Sequence, residues 1–270
     1  MNQPNAEIHL VGGRKGGVGK TFLSKHLSEY FTTKQLDFAL IEADATIGDV
    51  GGVYGGFEKG ASTEAVTLQL SDDPKRFSDP DIILRLVAEK PRVLVNLPAE
   101  TNDALARWMR QSGLIDLCQS HSIGLYHWFV TDGCYASIRL LAESLKQQDG
   151  KLPHIVIRNE GRLNGADFTY LNEDPLYQEI LAAPNLVCVR DLPVLGSAEQ
   201  YYLDRNNLTY QEGWQRVEAE LGWNGKLPAQ RIKTFATDTI TLLDRIFVQD
   251  IPAFVKPSKV AGAASTESRK

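Results

Sequence analysis

Short apolar runs alternate with amphipathic segments along most of the chain. Near-continuous runs of apolar residues, typical of strands buried on both faces, occur at 8–11, 38–41, 93–97, 123–130, 155–157 and 186–189. Helical spacing of apolar residues occurs between them, at 21–31, 80–90, 101–113, 135–147 and 232–247. Further helix starts are indicated by Asp174-Pro175 and by the capping-box patterns Ser197-x-x-Gln200 and Thr209-x-x-Glu212. The alternation predicts an α/β fold: a doubly wound, mainly parallel sheet with helices on both faces.

The same pattern contains no linker and no internal repeat. We therefore expect one domain over residues 1–255. Residues 256–270 are small and polar, and we expect them to be disordered. A glycine-rich stretch at 48–62 is expected to form a mobile loop.

Composition excludes several classes of protein. The 270 residues carry 29 Lys and Arg against 34 Asp and Glu, a net charge of −5, which argues against a surface built wholly for nucleic acid. Three widely spaced cysteines, with no CxxC, are typical of reduced thiols and favour a cytoplasmic location. No histidines stand at the spacing of a zinc motif, and we expect neither a targeting peptide nor a membrane-spanning segment.

One glycine-rich turn joins the first predicted strand to the first predicted helix, at Gly12–Thr21. Glycines allow backbone N–H groups to approach phosphate oxygens closely, and the following helix directs its positive end at the same anion. Lys20 would supply a cation to the β- and γ-phosphates, and the hydroxyl of Thr21 would ligate Mg²⁺. The turn therefore predicts a phosphate-binding loop.

The strict phosphate-loop pattern is not met, because Arg14 occupies its first glycine position. What matches is K-G-G-x-G-K-[ST], at Lys15–Thr21, which resembles the deviant Walker A loop of the ParA/MinD family of P-loop ATPases. The resemblance implies a P-loop NTPase fold, ATP and Mg²⁺ as ligands, and a homodimer that forms on ATP. In that family the earlier lysine, here Lys15, reaches the partner's ATP, where an added cation stabilises the charge of the transferring phosphoryl group.

The resemblance also assigns roles outside the loop. Residues 40–44 are similar to the family's second strand, which ends in D-x-D. Glu42 replaces the first Asp, and Asp44 would orient the attacking water near Mg²⁺. The stretch after Asp44 resembles switch I of the family.

Residues 93–98 resemble the Walker B strand, usually h-h-h-D-x-P, with Asn96 at the position of the Asp. An amide offers a carbonyl oxygen without a charge, so we expect it to hold a Mg²⁺-bound water more weakly. Hydrolysis is accordingly expected to be slow, or the protein acts mainly as an ATP-binding switch.

Two downstream residues resemble those that contact the adenine base. Asn159 ends the strand whose terminal amide reads the base edge, and Pro193 belongs to the segment that walls it. The implied nucleotide contacts are Gly16, Gly17, Val18, Gly19, Lys20, Thr21, Phe22, Asn159 and Pro193. The implied catalytic residues are Lys15, Lys20 and Asp44, and the implied Mg²⁺ ligands are Thr21, Asp44 and Asn96.

The resemblance implies a regulatory ATPase that positions DNA or a protein cargo, as in plasmid partition, mobilisation or conjugal transfer. No basic amphipathic helix ends the chain, so a stable membrane anchor is not expected. Non-specific DNA contacts would involve Arg231, Lys233 and Arg245. The alternative function is a small-molecule ligase or kinase that uses the same loop.

Overall fold

A computed structural model of the chain describes residues 6–43, 50–55, 65–99, 102–162 and 168–251. Asp44, most of the glycine-rich stretch and residues 252–270 lie outside these ranges, so the predictions that fall on them are not addressed by the structure.

The strands form one parallel sheet, which confirms the predicted fold class. They are β1 (Ala6–Gly12), β2 (Ala39–Glu42), β3 (Val66–Thr67), β4 (Arg92–Asn96), β5 (Ile123–Thr131), β6 (His154–Asn159) and β7 (Leu186–Leu192). Their order is β3-β2-β4-β1-β5-β6-β7, so β1 lies at the centre, where successive connections change direction. In open sheets of this kind, ligands bind at that switch point, beyond the carboxyl ends of the strands.

Helices cover both faces of the sheet. They are α1 (Lys20–Thr33), α2 (Gly51–Tyr54), α3 (Ile82–Glu89), α4 (Asn102–Gln111), α5 (Leu114–Ser120), α6 (Tyr135–Lys146), α7 (Pro175–Leu181), α8 (Ser197–Arg205), α9 (Tyr210–Leu221) and α10 (Lys226–Arg245). A π-helical segment, Ile246–Asp250, continues α10. No helix within the described ranges is long and apolar enough to cross a bilayer.

Alternate strand residues supply the two cores. Val11 and Leu94 pack with α1, α2 and the end of α10, whereas Leu10 and Val95 pack with α3, α4 and α5 on the opposite face. Helices α6 and α7 complete that second face beside β5 and β6. A separate apolar cluster joins α8 and α9 to the first half of α10.

Several local predictions need correction. Ser197 is the first residue of α8 and makes no capping hydrogen bond, because Gly196 is the residue that precedes the helix. The glycine-rich stretch contains the helical turn α2, since Val53 and Tyr54 are buried there. Helix α5 and the short edge strand β3 were not predicted, and α10 begins six residues earlier than the apolar periodicity indicated.

Candidate functional site

The glycine-rich turn lies beyond the carboxyl end of β1, between β4 and β5. Its valine, Val18, is only 1% exposed and belongs to the core that includes α1. Gly17 and Gly19 have φ angles of 75° and 108°, in the region that favours glycine. A side chain at position 19 would also meet the amide nitrogen of Asn159 at 2.3 Å. These two positions therefore require glycine, as the sequence motif indicated.

The loop leaves space where a phosphate would bind. A Cβ atom added to Gly16 or Gly17 would meet nothing within 4 Å among the described residues. The first N–H groups of α1, from Lys20, Thr21 and Phe22, have no acceptor within the helix, and the first turn carries no acidic side chain. Such a helix terminus attracts anions. The donor set and the open space together fit a polyphosphate.

Lys20 is the buried cation of this loop. Its side chain is 8% exposed, and Nζ donates to the carbonyl oxygen of Lys15 at 3.3 Å. The side chain of Lys20 thus folds back along the loop, beside the backbone that would cradle the phosphates. Thr21, one residue further along α1, is half-buried.

The second lysine of the motif, Lys15, is bound to its own chain. Nζ lies 2.5 Å from Asp132 Oδ2 and 3.1 Å from Cys134 Sγ, in the turn after β5. The hydrogen bond to Asp132 raises the pKa of Lys15. Burial, the largest single effect, would raise the pKa of Asp132, but the hydrogen bonds from Lys15 and Cys134 and the charge of Lys15 together outweigh it, so the pKa is lowered. Asp132 has no signature of its own in the sequence, and only the topology brings it to the loop.

Arg14, which replaces the first glycine of the strict motif, is also held by acidic side chains of the same chain. Its guanidinium lies 3.1 Å from Asp103 on α4 and 3.2 Å from Glu143 on α6. The loop therefore presents two basic side chains, each neutralised by acids that surround it.

Asn96 and Glu42 meet at the carboxyl ends of β4 and β2, where they are register partners. Asn96 is 1% exposed; its Oδ1 accepts from Ser24 Oγ at 3.0 Å and its Nδ2 donates to Glu42 Oε2 at 2.8 Å. Because Ser24 lies one turn after Lys20 on α1, the strand indicated as Walker B does contact the phosphate-loop helix. The sequence did not indicate that Glu42 would bind Asn96.

The two residues assigned to the base lie at the same edge of the sheet. Asn159 ends β6, and its amide donates to the carbonyl oxygen of Val18 at 2.9 Å, so it contacts the phosphate loop itself. Its register partner on β7 is Leu192, and Pro193 follows directly. Asn159 and Pro193 are therefore brought together beside the loop.

The remaining predicted residues are Phe22, on α1, and the three candidate cations of α10. Phe22 packs its ring against His26 and Phe235, away from the loop, so its backbone N–H is the group it offers to a phosphate. Arg231 is bound by Glu199, while Lys233 and Arg245 are exposed. In a single copy of the chain these three cations do not form one basic patch, because positions 231 and 233 lie about 200° apart around α10 and so on opposite sides of the helix.

The described residues contain no group of three or more His, Cys, Asp or Glu side chains arranged to hold a metal. Mg²⁺ usually keeps several waters and binds through one or two protein ligands together with substrate phosphates. Thr21 and the Asn96–Glu42 pair fit that sparse donor set, with the phosphates of a nucleotide as the remaining ligands.

No protein-family model and no curated protein matches this sequence. Solved structures do resemble it in fold. The nucleotide-binding protein of Archaeoglobus fulgidus in complex with ADP is 15% identical and covers 75% of this chain and 86% of its own, with a TM-score of 0.48. The cell division ATPase MinD of Pyrococcus furiosus is 14% identical, covering 86% and 99%, with a TM-score of 0.46.

MinD of Pyrococcus horikoshii, solved with Mg-ADP, is 15% identical and covers 84% of this chain and 93% of its own, with a TM-score of 0.48. The two MinD proteins carry the name of the family that the loop Lys15–Thr21 resembles. Similarity at this level concerns the fold, and it assigns no ligand to this chain.

Proposed function

We propose that this protein is a regulatory ATPase of the ParA/MinD type, which binds ATP with Mg²⁺ at the loop 12–21 and dimerises when ATP is bound. The loop itself carries the proposal. It joins the central strand to α1, it has two glycines in conformations that favour glycine, and it leaves open space at Gly16 and Gly17. The resemblance of Lys15–Thr21 to the deviant Walker A loop supports ATP as the nucleotide.

The two lysines of the loop have different proposed roles: Lys20 binds phosphate in its own chain, and Lys15 reaches a second copy. The ammonium of Lys20 and the first N–H groups of α1 hold the phosphates. Thr21 and Asn96 would hold Mg²⁺ on the protein side, and the bound ion would supply neutralisation of the phosphate charge. Asp44, outside the described residues, is assigned to the attacking water, and Lys15 reaches the ATP of a second copy.

We assign slow hydrolysis to the protein because position 96, at the end of β4, offers an amide in place of the usual carboxylate. Its proposed role is to position a protein cargo or DNA in the cytoplasm, as in plasmid partition, mobilisation or conjugal transfer. A protein cargo is the better supported of the two, since Arg231 is already bound by Glu199 and the three candidate cations of α10 share no face.

Calorimetric titration with ATP and ADP tests nucleotide binding. Lys20→Ala should weaken ATP binding by about 100-fold, because the phosphates lose a charge-assisted hydrogen bond. Lys20 is buried beside the loop, so its ammonium group is already positioned next to the proposed phosphate site. Lys34→Ala is the matched control: it removes a lysine from beyond the other end of α1, where Lys34 pairs with Asp244. Equal affinity in all three proteins would overturn the proposal.

Sedimentation with a non-hydrolysable ATP analogue and with ADP tests dimerisation. We expect a dimer with the ATP analogue and a monomer with ADP, and Lys15→Ala should lose the dimer while it keeps nucleotide affinity. A protein that stays monomeric with ATP and transfers the γ-phosphate to a small molecule would support the ligase or kinase alternative instead.

A further inference from the structure

A buried chain of hydrogen bonds connects the phosphate-loop helix to the segment after β2. Ser24 Oγ donates to Asn96 Oδ1 at 3.0 Å, and Asn96 Nδ2 donates to Glu42 Oε2 at 2.8 Å. Glu42 Oε1 then accepts from the backbone N–H groups of Val50 and Gly51, at 2.9 and 2.7 Å. Ser24, Glu42 and Asn96 are each no more than 5% exposed, so water does not compete for these groups.

The chemistry of these contacts gives Glu42 and Asn96 complementary roles. All three of these hydrogen bonds reach Glu42 from N–H donors, which is the arrangement that suits an ionised carboxylate. An aspartate in place of Asn96 would set a second carboxylate about as close to Glu42 as the amide is now, and like charges at such a distance repel strongly. The asparagine is therefore matched to the glutamate.

The glutamate also fixes which way the amide of Asn96 points. If the amide were reversed, its carbonyl oxygen would face the carboxylate and its NH₂ group would face the hydroxyl of Ser24. The observed orientation avoids that repulsion and directs Oδ1 toward α1, the helix that begins at the phosphate loop.

We propose that Glu42 is a positioning residue of the magnesium site: it holds the carbonyl oxygen of Asn96 toward the phosphate-loop helix and carries the negative charge that Asn96 lacks. This assignment rests on the proposed ATPase function. Glu42 and Asn96, the two departures from the usual sequence pattern, then compensate each other. The carboxylate expected at the end of β4 is supplied instead from the adjacent end of β2.

A charge-swap series tests the proposal, with Glu42→Gln, Asn96→Asp and the double variant Glu42→Gln/Asn96→Asp. In the double variant the new amide donates to the new carboxylate. Its carbonyl oxygen still accepts from Val50 and Gly51, and Ser24 still has an acceptor. Every hydrogen bond is kept, while the charge is transferred to position 96.

Urea unfolding without nucleotide or metal is the first measurement. Glu42→Gln should lower the midpoint because the new amide either sets its NH₂ group against that of Asn96 or makes Asn96 turn Oδ1 away from Ser24. Asn96→Asp should lower it because two carboxylates then face each other. The double variant should regain most of the lost midpoint. A double variant no more stable than the weaker single variant would overturn the pairing.

The Mg²⁺ concentration for half-maximal ATP turnover is the second measurement, and a purely structural role would not change it. Glu42→Gln should raise it by about 10- to 100-fold, the usual effect of losing an outer partner of a metal site, with ATP affinity in EDTA changed less than about twofold. The double variant should return it to within about threefold of wild type. Glu29→Gln removes another buried carboxyl, bound by Tyr54, and should leave the Mg²⁺ requirement unchanged.

Wild-type protein that binds and hydrolyses ATP, together with a Glu42→Gln variant of unaltered Mg²⁺ requirement, would overturn this assignment and leave the proposed function intact. Wild-type protein that binds no ATP at any Mg²⁺ concentration would overturn both.

Discussion

Lys15 Nζ lies 2.5 Å from Asp132 Oδ2, so the cation proposed to act on a partner's ATP is bound within its own chain. A dimer that uses Lys15 must first break this ion pair. The pair is partly exposed, with 39% of the Lys15 side chain accessible, and so contributes at most about 1 kcal/mol.

Asp132→Asn should therefore favour the ATP-bound dimer. We expect its dissociation constant, measured by sedimentation with a non-hydrolysable analogue, to fall by about twofold to fivefold. Asp72→Asn breaks an exposed ion pair with Arg107 on a different part of the surface and serves as the control. A weaker dimer in Asp132→Asn would show that the aspartate supports the lysine in the dimer as well.

Gly19→Ala should damage both stability and binding. The substitution forces a side chain into a left-handed conformation and against Asn159, and backbone strain of this kind costs about 1–3 kcal/mol. In Gly16→Ala the new methyl group meets no described atom within 4 Å, so its free energy of unfolding should be within about 0.5 kcal/mol of that of the wild type. Urea denaturation distinguishes the two, and equal destabilisation would contradict the loop conformation described above.

The two capping-box patterns should behave differently when they are mutated. The Thr209 hydroxyl accepts from the backbone N–H of Glu212, and the Glu212 carboxylate accepts from the backbone N–H of Thr209, so Thr209→Ala should cost about 1 kcal/mol. Ser197 makes no such bond, so Ser197→Ala should cost less than about 0.5 kcal/mol. Thermal unfolding of both variants checks this, and a larger loss at Ser197 would restore the sequence-based assignment.

Acid should destabilise the protein through a buried histidine. Complete burial lowers the pKa of His26 to about 3, against 6.5 in the unfolded chain, so between these values the unfolded state binds a proton that the native state does not. The contribution of His26 to the free energy of unfolding is therefore complete above pH 6.5. Between pH 6.5 and about 3 it falls by about 1.4 kcal/mol for each unit of decreasing pH.

Unfolding measured at pH 7, 6 and 5 should show a decrease to which His127 and His154 also contribute, because burial lowers the pKa of both. His26→Gln should reduce the slope by about 1.4 kcal/mol per pH unit, whatever its own stability at pH 7. His121→Gln, a substitution at an exposed histidine, is the control variant. The prediction fails if the His26 and His121 variants have the same pH dependence.

The sequence predicted the parts of this structure that depend on local pattern. Runs such as Val93–Val95 and Ile155–Ile157 are apolar at every position, which is typical of strands covered on both faces, and the positive φ angles of Gly17 and Gly19 require glycine. Helix α5 was missed because it follows α4 after only Ser112 and Gly113 and, at seven residues, is too short to show a clear periodicity.

The contacts of the candidate site were less predictable, since they join residues distant in the chain. Asp132 binds Lys15 across 117 positions and Asn96 binds Glu42 across 54, so neither pair leaves a periodic or spaced signal. Glu42 in particular appeared to be a substitution without a partner. Its function becomes visible only once the sheet order brings β2 beside β4.

Three contacts hold the phosphate loop in the absence of a ligand. The side chain of Val18 is buried in the core, the carbonyl oxygen of Val18 accepts a hydrogen bond from Asn159, and the carbonyl oxygen of Lys15 accepts one from Lys20. The conformational entropy of this segment is therefore lost during folding and not again on binding. Association with a polyphosphate then carries a small ordering cost at the loop. Calorimetry of phosphate-containing ligands should accordingly show little entropic penalty from this part of the chain, and replacing Asn159 with alanine should return that penalty to the binding step.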